Sequence, residues 1–169
     1  KVGQIRLDVY RDGVLFWSGC LDPEFYEEPY DSTSDYEVSL TFSDFGILDR
    51  MPYDGSGRKT LKELLDIALD KSRLNYTSVD ESLISTQLTD GARLTLSSLM
   101  MASENFYDED GEASSFKNVI EGIFQPLGLR MIQRAGNIYV YDINGLYTSK
   151  NPASEIDWQG SDSSLGTDS

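Results

Sequence analysis

Thr60-Leu61-Lys62-Glu63-Leu64-Leu65-Asp66-Ile67-Ala68-Leu69, residues 60–69, is the stretch whose reading decides the fold. Thr60 and Glu63 stand at the spacing of a capping box. The Thr60 hydroxyl can accept from the Glu63 backbone N–H while the Glu63 carboxylate reaches back. Leu61, Leu64, Leu65, Ala68 and Leu69 then recur at three- and four-residue intervals, which puts all five on one face of a helix. A second helix is expected from Ser115, with Phe116, Val119, Ile120, Ile123 and Phe124 on the same spacing and Pro126 and Gly128 closing it.

The two stretches align without a gap at an offset of 55 residues. Thr60-Leu61-Lys62 falls on Ser115-Phe116-Lys117, Leu64-Leu65 on Val119-Ile120, Ala68-Leu69 on Ile123-Phe124, and Leu74 on Leu129. Caps and apolar spacing recur in unrelated helices, so coincidence is the competing reading. Agreement of the cap, the lysine and the start of the next strand favours a duplicated helix–strand unit.

Working outward, residues 2–20 read as a hairpin. Ile5, Leu7 and Val9 alternate with Arg6, Asp8 and Tyr10, and Arg11-Asp12-Gly13 supplies the turn. Val14 to Cys20 returns as a more continuously apolar strand. Tyr36, Val38, Leu40 and Phe42 alternate with polar residues and predict a further strand. Leu129–Arg134 and Ile138–Asp142 form a second hairpin across Ala135-Gly136-Asn137. Residues 74–101 carry no clear period, and Leu94, Leu96 and Leu99 lean to strands. The expected class is α+β, with antiparallel strands and hairpins packed on two similar amphipathic helices. Residues 1–147 form a single domain, divisible at about 54/55 into a β-rich part and the helix–strand units. The tail, 148–169, holds six serines and reads as a linker or the start of a following region. Beginning on Lys1 inside a strand pattern, the chain reads as an excised piece of something longer.

Composition narrows the chemistry. In 169 residues, 29 acids face 14 bases, for a formal net charge of −15. That balance argues against a nucleic-acid binder and against docking on anionic headgroups. With no histidine, Ser-His-Asp and Cys-His nucleophile systems and imidazole metal ligands are excluded. Cys20 is the single cysteine and sits in an apolar run, so it reads as a small buried hydrophobe. No run is long enough to cross a bilayer.

Four constellations carry chemistry on paper. Asp108, Asp110 and Glu112 cluster around Gly111 and suggest a calcium loop, but EF-hand spacing would make Phe106 the first ligand and Lys117 the closing one. A solvated turn leading to the Ser115 cap is the better reading. From Asp22 to Tyr36, acids interleave with rings and Pro23 and Pro29, the ingredients of a sugar cleft, an acid glycosidase or a subunit contact. Asp44-Phe45-Gly46 and Gly55-Ser56-Gly57-Arg58-Lys59 lack the context of a kinase or phosphate loop and read as a turn and a connector. The ten tyrosines are expected at surfaces and interfaces.

Several stretches together resemble tail-tip proteins of phages and prophages of gut Bacteroidetes, of the baseplate-hub and tail-associated kind. They are Val9-Tyr10-Arg11-Asp12-Gly13 running into Phe16-Trp17-Ser18-Gly19, the Tyr36–Phe42 strand, and Asp44-Phe45-Gly46-Ile47-Leu48, where Phe45 replaces an expected glycine. Thr60–Leu65, Asn105-Phe106, Ser115–Glu121 and Leu127-Gly128-Leu129 through Gln133–Val140 complete the order.

The resemblance implies a non-enzymatic virion component, assembled in the host cytoplasm, whose partners are copies of itself, as trimers or hexamers, and other tail proteins. It implies no catalytic residue and no cofactor. Interface candidates are Phe25, Tyr26, Tyr30 and Phe106, with Asp22, Glu24, Glu27 and Glu28 as selectivity charges. The competing reading is a glycan-binding or adhesion module on a bacterial surface, using the same loop.

Overall fold

The computed structural model describes residues 5–22 and 38–149, with the short pairs 155–156 and 162–163. The first hairpin is β1 (Arg6–Arg11) and β2 (Val14–Leu21), turned at Asp12 and Gly13, which both take positive φ. That is the backbone an Asp-Gly turn between twisted strands requires. β3 (Phe42–Ser43) pairs antiparallel with the end of β2. Of the expected Tyr36–Phe42 strand, residues 36 and 37 lie outside the described residues; Ser39 makes a single bridge, the Thr41 carbonyl accepts from the Asp22 N–H at 2.8 Å, and the continuous ladder begins at Phe42. A 3-10 turn over Gly46–Arg50 follows.

The capping box forms as the sequence predicts. β4 (Arg58–Thr60) leads into α1 (Leu61–Ser72), where the Thr60 hydroxyl accepts from the Glu63 N–H and the Glu63 carboxylate accepts from the Thr60 N–H. All five residues of the predicted face are buried, as are all five of α2 (Phe116–Phe124). Ser115 caps α2 through the Asn118 N–H at 3.2 Å. Each fully buried leucine or phenylalanine adds about 1.5–3 kcal/mol.

The two helices begin and end alike. Thr60 pairs with Met100 of β6 (Met100–Ala102), and the Leu61 N–H donates to the Leu99 carbonyl at 3.1 Å. Ser115 pairs with Pro52, and the Phe116 N–H donates to the Met51 carbonyl at 2.8 Å. Arg73, after α1, and Gly128, after α2, both take left-handed backbone. The likeness stops at the next strand. β7 (Leu129–Arg134) starts at Leu129, whereas after Leu74 the first strand is the two-residue β5 (Val79–Asp80). Residues 75–77 bond sideways to other segments instead of joining a ladder: the Asn75 N–H donates to the Ser18 hydroxyl and the Thr77 N–H to the Gly136 carbonyl.

β7 and β8 (Asn137–Asp142) form the second predicted hairpin, and β5 joins β8 in parallel. Its turn lies against β2. The Gly136 N–H donates to the Phe16 carbonyl at 3.1 Å, and with φ +74 a Cβ there would sit 2.6 Å from the Leu15 carbonyl oxygen. The strands expected between 74 and 101 shrink to β5 and the first residues of β6. Leu94 and Leu96 are nevertheless core residues, held in an irregular segment whose backbone is satisfied by side chains, as where Glu81 accepts from the Leu96 N–H at 2.6 Å.

A short helix that periodicity did not announce, α3 (Ile143–Ser149), follows β8. In the tail, β9 (Glu155–Ile156) pairs antiparallel with β10 (Asp162–Ser163). One hydrophobic cluster joins Cys20 of the first hairpin to both long helices, Leu94, Leu96 and β8. Tyr53 sits inside it, 1% exposed, with its ring edge-on to Phe106 and Phe116 and its hydroxyl 2.6 Å from Ser103 Oγ. A surface role for this tyrosine is thereby corrected.

Candidate interaction surface

The first hairpin has two unlike faces. On its inner face, Ser18 and Cys20 are fully buried against the rest of the fold. Ser18 anchors it: its hydroxyl donates to Asp8 at 2.7 Å and accepts from the Asn75 N–H at 2.9 Å, while its own N–H donates to Gln133 Oε1 at 3.0 Å. Gln133 turns its other end to the Asn75 carbonyl at 3.2 Å. The Arg6 guanidinium pairs with Asp8 at 2.9 Å and donates to the Arg73 carbonyl. Burial works to raise the Asp8 pKa, but hydrogen bonds from Ser18 and Asn75 and the Arg6 charge outweigh it and hold the carboxyl below its ordinary value.

Opposite parity puts Ile5, Leu7 and Val9 on the outer face, with Trp17 across from Val9. A bulge between Val9 and Tyr10 adds Phe16 to β2, and Val14 lies beside the turn. Ile5, Leu7, Val9, Val14 and Phe16 are all exposed. Trp17 lies flat over Gly19, where a Cβ would fall inside the indole ring. The glycine thus lets the ring lie against the sheet, giving a rigid apolar platform on a well-anchored hairpin.

Two open apolar shelves flank α2, of about 380 and 410 Å³. One lies between α2 and Leu99, Met101 and Phe106. The other lies between α2 and Phe45, Met131 and Tyr141, with Lys117, Glu121 and Arg130 along it. Neither is lined by a pair of carboxylates.

Asp142 gathers five hydrogen bonds on its carboxylate. It ends β8, accepts from the Gly145 N–H as the N-terminal cap of α3, and receives the N–H and hydroxyl groups of Ser85 and Thr86 at 2.8–2.9 Å. Burial pushes its pKa up, but the Gly145 N–H, the Ser85 hydroxyl and the Thr86 and Ser85 N–H groups prevail and hold it at about 2. The same side chain pins the 85–86 segment to β8, which explains how that irregular stretch keeps its place. An Asp three residues before Gly145, directly after an apolar strand, was the signal for this cap.

Of the sequence-predicted interface residues, Phe25, Tyr26, Tyr30, Glu24, Glu27 and Glu28 lie outside the described residues. Asp22 pairs with Arg50 at 2.7 Å and thereby ties the end of β2 to the Gly46–Arg50 turn. Phe106 is a core residue, 9% exposed, because the 3-10 turn over Ser103–Phe106 swings its ring against Tyr53. Its expected exposure is corrected.

Asp108 closes the acidic turn on itself, accepting from the Asp110 and Glu112 N–H groups at 3.0 and 2.7 Å. Among the described residues, no three metal-ligating side chains gather. Cys20 donates to the Ser72 carbonyl, and burial raises its thiol pKa. Among the described residues, no helix is long and apolar enough to cross a membrane.

Sequence reading missed the outer face because alternation alone does not tell which parity meets the core. No protein family, curated protein or solved structure matches the chain.

Proposed function

We propose that this chain is a non-enzymatic assembly or attachment module, working as a component of a phage or prophage tail tip, and that the outer face of the β1–β2 hairpin is its contact surface. The carrying observation is that face: exposed Ile5, Leu7, Val9, Val14 and Phe16 beside Trp17, on a hairpin whose inner face is fixed by buried hydrogen bonds. A hairpin already anchored on its inner face suits binding, because little backbone freedom remains to be lost on contact. Carboxylate chemistry supports the same reading. A glycosidase needs one acid kept protonated by a raised pKa. The carboxyls that shift among the described residues, Asp8, Glu63 and Asp142, all shift downward.

The test is capture of tail proteins encoded beside this chain's gene, with the chain as bait, and its detection in purified particles. Capture that is lost in Leu7→Glu is the expected result. A chain absent from particles that instead cleaves a polysaccharide overturns the proposal.

A further inference from the structure

We propose that the outer face of the β1–β2 hairpin is a contact between two copies of this chain, packed face to face about a two-fold axis. The inference rests on the assembly reading and names the partner for that surface.

Area is the first support. Ile5, Leu7, Val9, Val14 and Phe16 retain 39–64% of their surface. With the edge of Trp17 they form an apolar patch on the order of 500 Å², at the upper end of what a monomer leaves uncovered. Two such faces bury about 1,000 Å² in total, the lower bound for a specific contact, which places the dimer in the weak and reversible class. Trp17, lying flat over Gly19, is the central aromatic anchor that such contacts use.

Charge selects a second copy as the occupant. Residues 22–37, 104–112 and 154–169 carry 16 of the 29 acids and none of the 14 bases. The rest of the chain therefore holds 13 acids against 14 bases. Two copies meeting through an acidic stretch would repel, whereas the hairpin carries Arg6 and Arg11 against Asp8 and Asp12. Arg6 and Asp8 pair with each other, which leaves Arg11 and Asp12 at the turn. A two-fold contact repeats both signs on each side, so each copy offers its partner the opposite charge at the rim.

Sedimentation velocity and light scattering over a thousandfold concentration range test this. Expected is a reversible dimer with a dissociation constant on the order of 10–100 µM, weakened at least tenfold by Leu7→Glu or Val9→Glu and unchanged by Met100→Gln, an exposed apolar position elsewhere. In a Trp158→Phe background, the remaining Trp17 emission should move to shorter wavelength as the dimer forms. That readout comes from the unaltered face and stands even if a glutamate variant fails to fold.

A monomer throughout overturns the proposal, as does a dimer indifferent to both glutamates. If the chain stays monomeric but captures a tail protein through this face, the two-copy contact fails and the assembly reading stands. If it dimerises through the face but captures no tail protein, the reverse holds.

Discussion

Replacing Asp142 by asparagine tests the best-defined electrostatic feature of the fold. Five donors converge on its two carboxylate oxygens: the Ser85 and Thr86 N–H and hydroxyl groups and the Gly145 N–H. Asparagine keeps one acceptor oxygen and points an N–H₂ group at the remaining donors. The Ser85 and Thr86 hydroxyls can turn to accept from that group, but at least one backbone N–H is left without an acceptor, for a loss of about 2 kcal/mol.

The pH dependence sharpens the test. The carboxyl's ordinary pKa is 3.8, and in the folded chain it is about 2. A depressed folded value stabilises the protein fully above the unfolded pKa and loses that contribution as pH falls through the folded one. The whole shift amounts to about 2 kcal/mol, complete above roughly pH 5, with about half of it gone by pH 3. Urea unfolding of both proteins at pH 6 and pH 3 gives the comparison. Asp142→Asn should be less stable at pH 6, and the gap should narrow by about 1 kcal/mol at pH 3. A gap of constant size at the two pH values, or a variant as stable as the parent at pH 6, would refute the reasoning.

Thr60→Ala and Ser115→Ala each remove a hydroxyl that accepts from the third helical N–H, and each should cost about 1 kcal/mol in urea unfolding. The Thr60 loss should be the larger, because its hydroxyl also donates to the Glu63 carboxylate at 2.9 Å. Gln133→Leu strips the buried bridge between the Ser18 N–H and the Asn75 carbonyl and should cost about 1–3 kcal/mol. Amide exchange at Ser18 should accelerate in that variant more than exchange at Leu64, inside α1.

Legibility in the sequence followed how local the cause was. The starts of α1 and α2, both capping residues and the Asp12-Gly13 and Ala135-Gly136 turns rest on neighbours within four residues, so they could be read directly. The offset of 55 also carries from cap to left-handed residue, Arg73 on Gly128, and ends at Leu74. What decides residues 74–99 is distant: Asp142 lies 56 and 57 positions from the backbone groups it fixes at Thr86 and Ser85. No periodicity records such a bond, and Leu94 and Leu96 are buried without either strand or helix spacing. The candidate surface was half legible. The alternation of Ile5, Leu7 and Val9 marked a two-faced strand, but the buried polar residues Ser18 and Gln133 reversed the usual assignment, leaving the apolar parity outside. Rings such as Tyr53 and Phe106 look identical in sequence to rings at an interface.

The links at the helix starts cross over: α1 begins against Met100, far downstream of it, while α2 begins against Pro52, upstream of α1. Suppose the backbone is nicked at the Gln87–Arg93 turn. The leading fragment holds α1 without the strand that brackets its first residue, and the trailing fragment holds α2 with the same deficit. Each severed half carries the brace the other lacks. The chain is thus suited to complementation, in which two separately expressed pieces gain order only on meeting.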